Sequence, residues 1–575
     1  MNKLFKGIGA SDGIVISSAY LLVRPKFDIN DQLVSNIDEE VKKYQNAIAT
    51  TVQQLTKIKE IAVNKIGQDK AEVFDAHIQI ANDPEISQEV IHTITNTKMN
   101  AANVANTIFD KHYETFKAMT DAYFRERAAD VLDVKKRILS NLLNIPLPDI
   151  GDINREVILI AHDLTPSETA LLDKKYVRAF ITEIGGRTSH AAIMARTMEI
   201  PAVLGVTNIL NEVKNDQPIG LNGDTGEIEI EPKDSSIWEN RITAYAKEKN
   251  ELKKYVNIPT ITLDQHKVEL SANIGKPTDA AIALSNGAEG IGLYRSEFLY
   301  MDNDHWPTEE EQFNGYKDVL QELGGKLTVI RTLDIGGDKK LSYYQFPQEM
   351  NPFLGYRAIR FCLDNKEIFK TQLRALGRAS VFGKLGIMFP MVATIDEFKE
   401  AKAFTMQTFA ELRKEGHKVR DDIQIGMMTE IPSSAVLAKK FSKYVDFFSI
   451  GTNDLNQYAF ACDRMSQKVS YLYQPNNPAL LTLIKMTIDG GHNNKLWVGM
   501  CGEMAGNIYS LPILLGLGLD EFSMSATSIP KARKIINNLS FNECQKLAQK
   551  TLELETVEQV NNLVTNFLKQ KNLII

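Results

Sequence analysis

Cysteine is scarce in this chain: four in 575 residues, Cys362, Cys462, Cys501 and Cys544, far apart and with no CxxC pair. That spacing argues against a disulfide framework or a cysteine-built zinc site, and a reducing cytoplasm fits best. Long apolar runs are also missing. The longest Gly-tolerant one, Leu511 to Leu519, is far too short to cross a bilayer, so no membrane insertion is expected. At the N-terminus, Gly7, Gly9, Asp12 and Gly13 break any apolar signal core, and Met1 to Leu22 reads as folded sequence. Positive charge is not in excess. Lys and Arg number 66 against 73 Asp and Glu, a net charge of -7, which argues against nucleic acid as a partner. What is present, 43% hydrophobic and 24% charged residues, is ordinary globular composition, and the length calls for three or four domains.

From about Ile29 to Asn144 the pattern is helical throughout. Val41, Tyr44, Ile48, Val52, Leu55, Ile58 and Ile61 recur every three or four residues and make one apolar face. Similar faces run through Glu72–Ala81, Glu85–Thr95, Ala101–Met119 and Asp121–Leu143. Ile80, Ile86, Phe116, Met119 and Phe124, with Asp83 and Glu85 nearby, fit core packing singly and a protein-docking face as a set. After Pro146 and Pro148 come β-like runs at Glu156–Ile160, Ala179–Thr182 and Gly226–Glu231, with helical patches at Ser167–Leu172 and Ser189–Met198. With the strand-like Gly13–Val23 these predict a small α/β domain into which the helical bundle is inserted. Ser235–Val256 reads as one connecting helix, closed by Pro259.

The chain has only nine histidines, and one stands in Gly185-Gly186-Arg187-Thr188-Ser189-His190. A strand precedes this stretch and a helix follows, so His190 falls in the first helical turn, where free backbone N–H groups and the macrodipole favour an anion. A phosphoryl group carried on His190 is one reading. Loop glycines followed by Thr188 or Ser189 as a plain N-cap is the other. Upstream, Thr165, Pro166 and Glu168 form a helix-start signal, and a hydroxyl of this run could fix the tautomer of His190.

Beyond Thr260, β-like runs recur with helical segments between most of them: Glu269–Ile274, Gly290–Arg295, Leu327–Leu333, Leu385–Phe389, Ile423–Glu430, Val445–Ile450, Leu496–Cys501 and Glu521–Met524. Eight such units predict a (β/α)8 barrel. Their C-terminal ends carry Asn273, Arg295, Arg331 and Asp334, Glu430, Asn453 and Asp454, Cys501 and Glu503, and Ser523. Polar residues closing several apolar strands at one end are what an active-site mouth needs and barrel packing does not. Glu430 and Asp454 end successive strands and suit a hard cation such as Mg2+. Arg295, Arg331 and Arg464 suit a small anionic substrate bearing phosphate and carboxylate. Cys501 is either an inert buried thiol or an acid–base group.

Taken together these stretches resemble Enzyme I of the bacterial phosphoenolpyruvate:sugar phosphotransferase system along essentially the whole chain. The resemblance rests on Leu164–Thr169, Gly185–His190 with Met194-Ala195-Arg196, Gly292–Phe298, Arg331–Lys339, Asn351–Arg357, Phe448–Leu455 and Gly499–Glu503. It implies that His190 takes a phosphoryl group from phosphoenolpyruvate and gives it to a histidine of the carrier HPr. It also implies Glu430 and Asp454 as ligands of Mg2+, Arg295, Arg331, Asn453 and Arg464 as the substrate clamp, and Cys501 as proton donor to the enolate. Thr169, Gly185, Gly186 and Arg187 become supporting residues around His190. The implied division is 1–28 with 145–233 as the phosphohistidine α/β domain, 29–144 as the HPr-binding helices, 234–259 as a linker helix, and 260–575 as the phosphoenolpyruvate-binding barrel, which forms a homodimer. Gly and Pro segments bordering the linker helix are the expected hinges.

The chain departs from the family pattern in two places. Thr429 and Ile431 flank Glu430 where relatives often carry an aliphatic residue and Thr, and Asn82 and Pro84 stand on the presumed docking helix where relatives are more acidic. Two rivals remain: an ATP-using phosphoenolpyruvate synthase or dikinase, for which the chain has no P-loop and no room for a nucleotide domain, and a regulatory binder, which would have lost His190, Glu430, Asp454 or the arginines.

Overall fold

The computed structural model describes residues 3–23, 25–66, 71, 73–118, 122–148, 150–186, 189–301, 303–337, 339, 341–463 and 466–574. The chain forms two compact units, 1–249 and 250–575.

The first unit holds an eight-stranded mixed sheet. Its strands are β1 (Lys3–Lys6), β2 (Ile8–Ser11), β3 (Ile14–Leu21), β4 (Val157–Ala161), β5 (Val177–Thr182), β6 (Ala202–Leu204), β7 (Pro218–Asn222) and β8 (Glu227–Ile230), in the order β1-β8-β7-β3-β4-β5-β6-β2. The central pairs β3–β4, β4–β5 and β5–β6 are parallel. Along β4 the side chains alternate between two cores: Val157, Leu159 and Ala161 in one, Ile158 and Ile160 in the other. A strand covered on both faces reads as a continuous apolar run, which is why β4 and β5 stand out in the sequence. β1, β2, β6 and β7 were not predicted; all are short, and β2 and β7 are interrupted by glycine.

Between β3 and β4 the chain leaves the sheet for helices α1 (Ile37–Ile66), α2 (Val73–Ala81), α3 (Pro84–Thr97), α4 (Ala101–Ala118) and α5 (Ala122–Leu143). The helical pattern predicted from Ile29 begins only at Ile37; before it, Leu33 makes an isolated bridge to Met99. The start of α3 fixes two residues of the predicted docking face in structural roles. Asp83 caps it by accepting from the N–H groups of Glu85 and Ile86 at 2.8 and 3.0 Å, a bond pattern worth about 1 kcal/mol, and Ile86 is buried in the bundle core. Ile80 and Phe116 stay half-buried, while Met119 and the side chain of Phe124 lie outside the described residues.

The connecting helix runs over Ser235–Leu252 and continues as a 3-10 turn at Lys253–Tyr255. Trp238 near its start is fully buried. Its indole N–H donates to Glu229 Oε2 at 2.6 Å, and its ring occupies the space that a Cβ on Gly220 would need. At the far end the buried Arg533 donates to the carbonyls of Tyr255, Val256 and Gly287 at 2.6–2.9 Å. The borders where hinges were expected are therefore the anchored parts. Ala246–Asn250 are all exposed, and five successive residues cover more than a full turn, so every face of the helix meets solvent there.

The second unit is a closed, all-parallel eight-stranded barrel: β9 (Glu269–Ile274), β10 (Gly290–Arg295), β11 (Leu327–Arg331), β12 (Lys384–Phe389), β13 (Gln424–Thr429), β14 (Phe448–Ile450), β15 (Val498–Met500) and β16 (Glu521–Met524), with β16 pairing β9 to close the ring. Leu293, Val329, Met388, Met428, Phe447 and Cys501 form one buried cluster, distinct from the larger core. Inside a barrel such side chains fill the lumen, so chemistry is confined to the strand ends.

Candidate active site

The C-terminal ends of the barrel strands gather most of the residues singled out in the sequence. Arg295 and Arg331 end β10 and β11, Glu430 follows β13, Asp454 lies in the helix Thr452–Ala459 just after β14, and Cys501 follows β15. Arg331 is buried. Its Nη2 contacts Glu297 Oε1 at 2.5 Å and Asp334 Oδ2 at 3.1 Å. Lys339 Nζ reaches the same two carboxylates at 3.0 and 2.8 Å. Arg357, 1% exposed, pairs with Asp334 Oδ1 at 3.0 Å and stands 3.8 Å from Asp454 Oδ1. Burial alone would raise the pKa of Glu297 and Asp334. Arg331 and Lys339 hold Glu297 below the usual carboxylate range, and Arg357, Lys339 and Arg331 hold Asp334 well below it.

Glu297, Lys339 and Arg357 were not assigned roles from the sequence, although each lies inside a stretch that carries the family resemblance. The signal that could have found Arg357 is the pair Gly336-Gly337. Gly336 has φ 106°, and a Cβ there would come within 2.7 Å of Arg357 Cβ, so the loop can pass this arginine only as glycine.

Arg295 differs from its neighbours. It makes no ion pair among the described residues; its guanidinium lies 4.8 Å from the centre of the Phe298 ring, and burial lowers its basicity. That leaves a cation whose charge is available to a ligand. Asn453 Oδ1 accepts from Tyr473 Oη at 3.1 Å and from the Glu503 N–H at 3.4 Å, which turns its amide nitrogen to other acceptors.

Glu430 is engaged through one oxygen. Its Oε1 accepts from the Met391 N–H at 2.5 Å, while Oε2 is buried with no hydrogen-bond partner among the described residues. Met391 holds φ at 58° to present that N–H, a conformation a non-glycine residue rarely adopts. Burial first, then the charges of Asp454 and Asp334, push Glu430 up to about 8. Among the described residues no third metal-binding side chain joins the pair. Mg2+ is commonly held by one or two carboxylates with substrate phosphate and water completing the shell, so this donor set fits it.

Cys501 is 7% exposed with Sγ 3.9 Å from the Ile450 carbonyl. Burial pushes the thiol up to about 12, with Ser449 and Arg331 acting in the other direction. It is a protonated thiol at neutral pH, as a proton donor requires. Asn273 Nδ2 donates to the Cys501 carbonyl at 2.9 Å and its Oδ1 accepts from Ser523 Oγ at 2.6 Å, locking the strand end in place.

In the first unit, α6 (Pro166–Leu171) begins with the predicted capping box of Thr165 and Glu168, and Thr169 is fully buried. α7 (His190–Met198) begins with His190, after Gly185 at φ 114°. Ser189 is its N-cap, accepting from the Ala192 N–H at 3.4 Å. Ala191, Ala192 and Ala195 pack α7 on the sheet core, and their small side chains let the helix sit close to it. Of His190 only the backbone is described, so its ring's partners are not; Arg187, Thr188 and Arg464 lie outside the described residues.

The comparisons with known proteins agree with this architecture. Residues 249–541 match the PEP-binding domain of PEP-utilising enzymes, 6–127 their N-terminal region and 153–226 their mobile domain, which makes the chain a PEP-utilising enzyme. It is 55% identical over 570 residues to the phosphoenolpyruvate-protein phosphotransferase of Mycoplasma capricolum, covering 99% of each chain. It is 52% identical to the phosphotransferases of that name from Staphylococcus carnosus and Staphylococcus aureus, covering 99% of this chain and all of theirs. The chain belongs to the phosphoenolpyruvate-protein phosphotransferase family.

Proposed function

We propose that the protein transfers the phosphoryl group of phosphoenolpyruvate to its own His190 and then to a histidine of the carrier HPr, releasing pyruvate, as the first step of phosphotransferase-system sugar uptake. The observation that carries this reading is the barrel mouth. An arginine and a carboxyl oxygen that, among the described residues, have no ion-pair or hydrogen-bond partner converge there with a protonated thiol in a chain of this family.

The residues divide the work. Arg295, Arg331 and Arg464, with the Asn453 amide, bind the phosphate and carboxylate of the substrate, and Glu297 and Asp334 keep Arg331 from swinging away. Glu430 and Asp454 would hold Mg2+, which supplies charge neutralisation at the phosphoryl oxygens when bound. The imidazole of His190 attacks as the neutral form, and the N–H groups of the α7 start favour the anionic group it then carries. Thr169, Gly185, Gly186 and Arg187 support that position. Cys501 gives its thiol proton to the methylene carbon of the enolate, completing pyruvate.

The division carried by this reading is 1–28 with 145–233 for the phosphohistidine domain, 29–144 for HPr docking, 234–259 for the linker and 260–575 for the barrel, which also dimerises. Four free, buried cysteines accord with work in the cytoplasm, and no described helix is long and apolar enough to cross a membrane.

The test is incubation of the purified protein with labelled phosphoenolpyruvate and Mg2+, then with HPr. An acid-labile phosphoprotein that passes its label to HPr is the expected result. Labelling by ATP, or labelling that survives His190→Ala, would sink the reading.

A further inference from the structure

One hydroxyl at the barrel mouth touches the supports of both carboxylates read as metal ligands, and the chemistry above gives it no part. Tyr458 lies in the helix Thr452–Ala459, four residues after Asp454 and so on the same helix face. It is half-buried. Its Oη donates to the Phe353 carbonyl at 2.5 Å, accepts from Arg357 Nη1 at 3.4 Å and lies 3.8 Å from Met391 Sδ. Phe353 belongs to the 3-10 turn Pro352–Leu354, which leads into Arg357. A phenol has a single proton, and the short contact to Phe353 claims it. What it turns to Arg357 is a lone pair.

Two of these contacts lead to one carboxylate each. Met391 is the residue whose N–H holds Glu430 Oε1, with φ at 58°. Arg357 is the cation beside Asp454. Its Nη2 donates to Asp334 Oδ1 at 3.0 Å, and its Nη1 stands 3.8 Å from Asp454 Oδ1, an ion pair too long for a hydrogen bond. Nη1 thus gives a hydrogen to a neutral phenol while its charge still faces Asp454. Without the phenol that N–H would lose its acceptor in a buried place, and closing on Asp454 would meet it with a charge-assisted bond. Such a bond would occupy an oxygen, and neutralise a charge, that a bound cation requires.

We propose that Tyr458 is a positioning residue for the cation site. Its hydroxyl pins the Arg357 loop at the distance where the arginine faces Asp454 without taking the metal's place, and it backs the Met391 turn that holds Glu430. This rests on the reading of Glu430 and Asp454 as the Mg2+ ligands. The hydroxyl acts as a spacer: one oxygen decides which acceptor the arginine uses. The ring of Tyr458 could pack against its neighbours equally well without that oxygen, so the hydroxyl is the part to test.

The experiment is titration of the full-length, metal-free protein with Mn2+, a cation that takes the same oxygen ligands. Free Mn2+ is read by its paramagnetic resonance signal, and melting curves are recorded on the same samples before metal is added. Tyr458→Phe should bind Mn2+ about tenfold more weakly, the scale of loss when a partner of a metal ligand is removed. Native affinity in Tyr458→Phe overturns the proposal even if its metal-free melting has dropped, because a merely structural hydroxyl would move melting alone. Tyr458→Leu, which removes the ring as well, should bind no more tightly than Tyr458→Phe. Weak binding in the Leu variant with native binding in the Phe variant assigns the effect to packing and overturns the proposal too. If Glu430→Gln and Asp454→Asn also bind Mn2+ like the native protein, the fault lies in the reading of the metal site; if they lose it and Tyr458→Phe does not, the spacer alone fails.

Discussion

At the barrel mouth Asp334 is 1% exposed and ringed by Arg331, Lys339 and Arg357, whereas at the start of α7 the described cap bond, from the Ala192 N–H to Ser189, is 3.4 Å and follows an exposed Ile184 and Gly185. The first arrangement fixes charges before any ligand arrives. The second, where it is described, holds no ion pair. A donor site gains from rigidity because its task is to meet the same transition state each time. A carrier group has to meet two partners, and anchoring it as heavily would cost it one of them.

That contrast can be broken from either side. His190→Ala should abolish phosphoryl transfer completely while the melting of the barrel stays where it was; retained labelling would end the assignment. Arg357→Leu, which strands Asp334 and part of the network, should cost the barrel about 3–5 kcal/mol, seen in denaturant unfolding. The sheet unit should unfold as before. Glu430→Gln should remove the thermal stabilisation that Mg2+ gives the barrel. In the native protein that stabilisation should itself depend on pH. With Glu430 raised from 4.5 to about 8, the folded metal-free state binds more protons than the unfolded one between those values, so its stability falls as pH rises through that window. Mg2+ displaces the proton, and its effect on melting should be larger at pH 8.5 than at pH 6; an equal effect would remove Glu430 from the site. The smallest change is Ser189→Ala, expected to cost about 1 kcal/mol at the helix start and to lower the phosphohistidine yield only modestly.

Much of the barrel was legible because its strands are short apolar runs that end in a polar residue. The bounds of β9, β10 and β16 read from the sequence coincide with those observed. β6 was invisible for the opposite reason: three residues between Pro201 and Gly205 are too few for any period to register. At the mouth, Arg331, Glu430 and Cys501 could be picked out as strand-end residues. Their partners could not. Arg357 sits in a loop with no strand of its own, and it reaches Asp334 only because Gly336 lets the two backbones approach. Glu297 opens a five-residue helix, where an acidic first turn is common enough to pass unnoticed. A sequence marks where a side chain leaves its strand, but which loop folds over it is a tertiary fact.

The helix at Ser235–Leu252 carries a mechanical consequence. It is a beam clamped at both ends, by Trp238 in its cleft at Gly220 and by Arg533 across the Tyr255 and Val256 carbonyls. Between the two clamps lies the fully exposed span Ala246–Asn250. Bending of this helix would then be set by how readily one helical turn opens and re-forms, and its timing by hydrogen bonds that touch neither phosphate nor carrier. A Gly substituted at Ala246 should speed that opening, and a slower phosphoryl exchange in its place would show that the bending lies elsewhere.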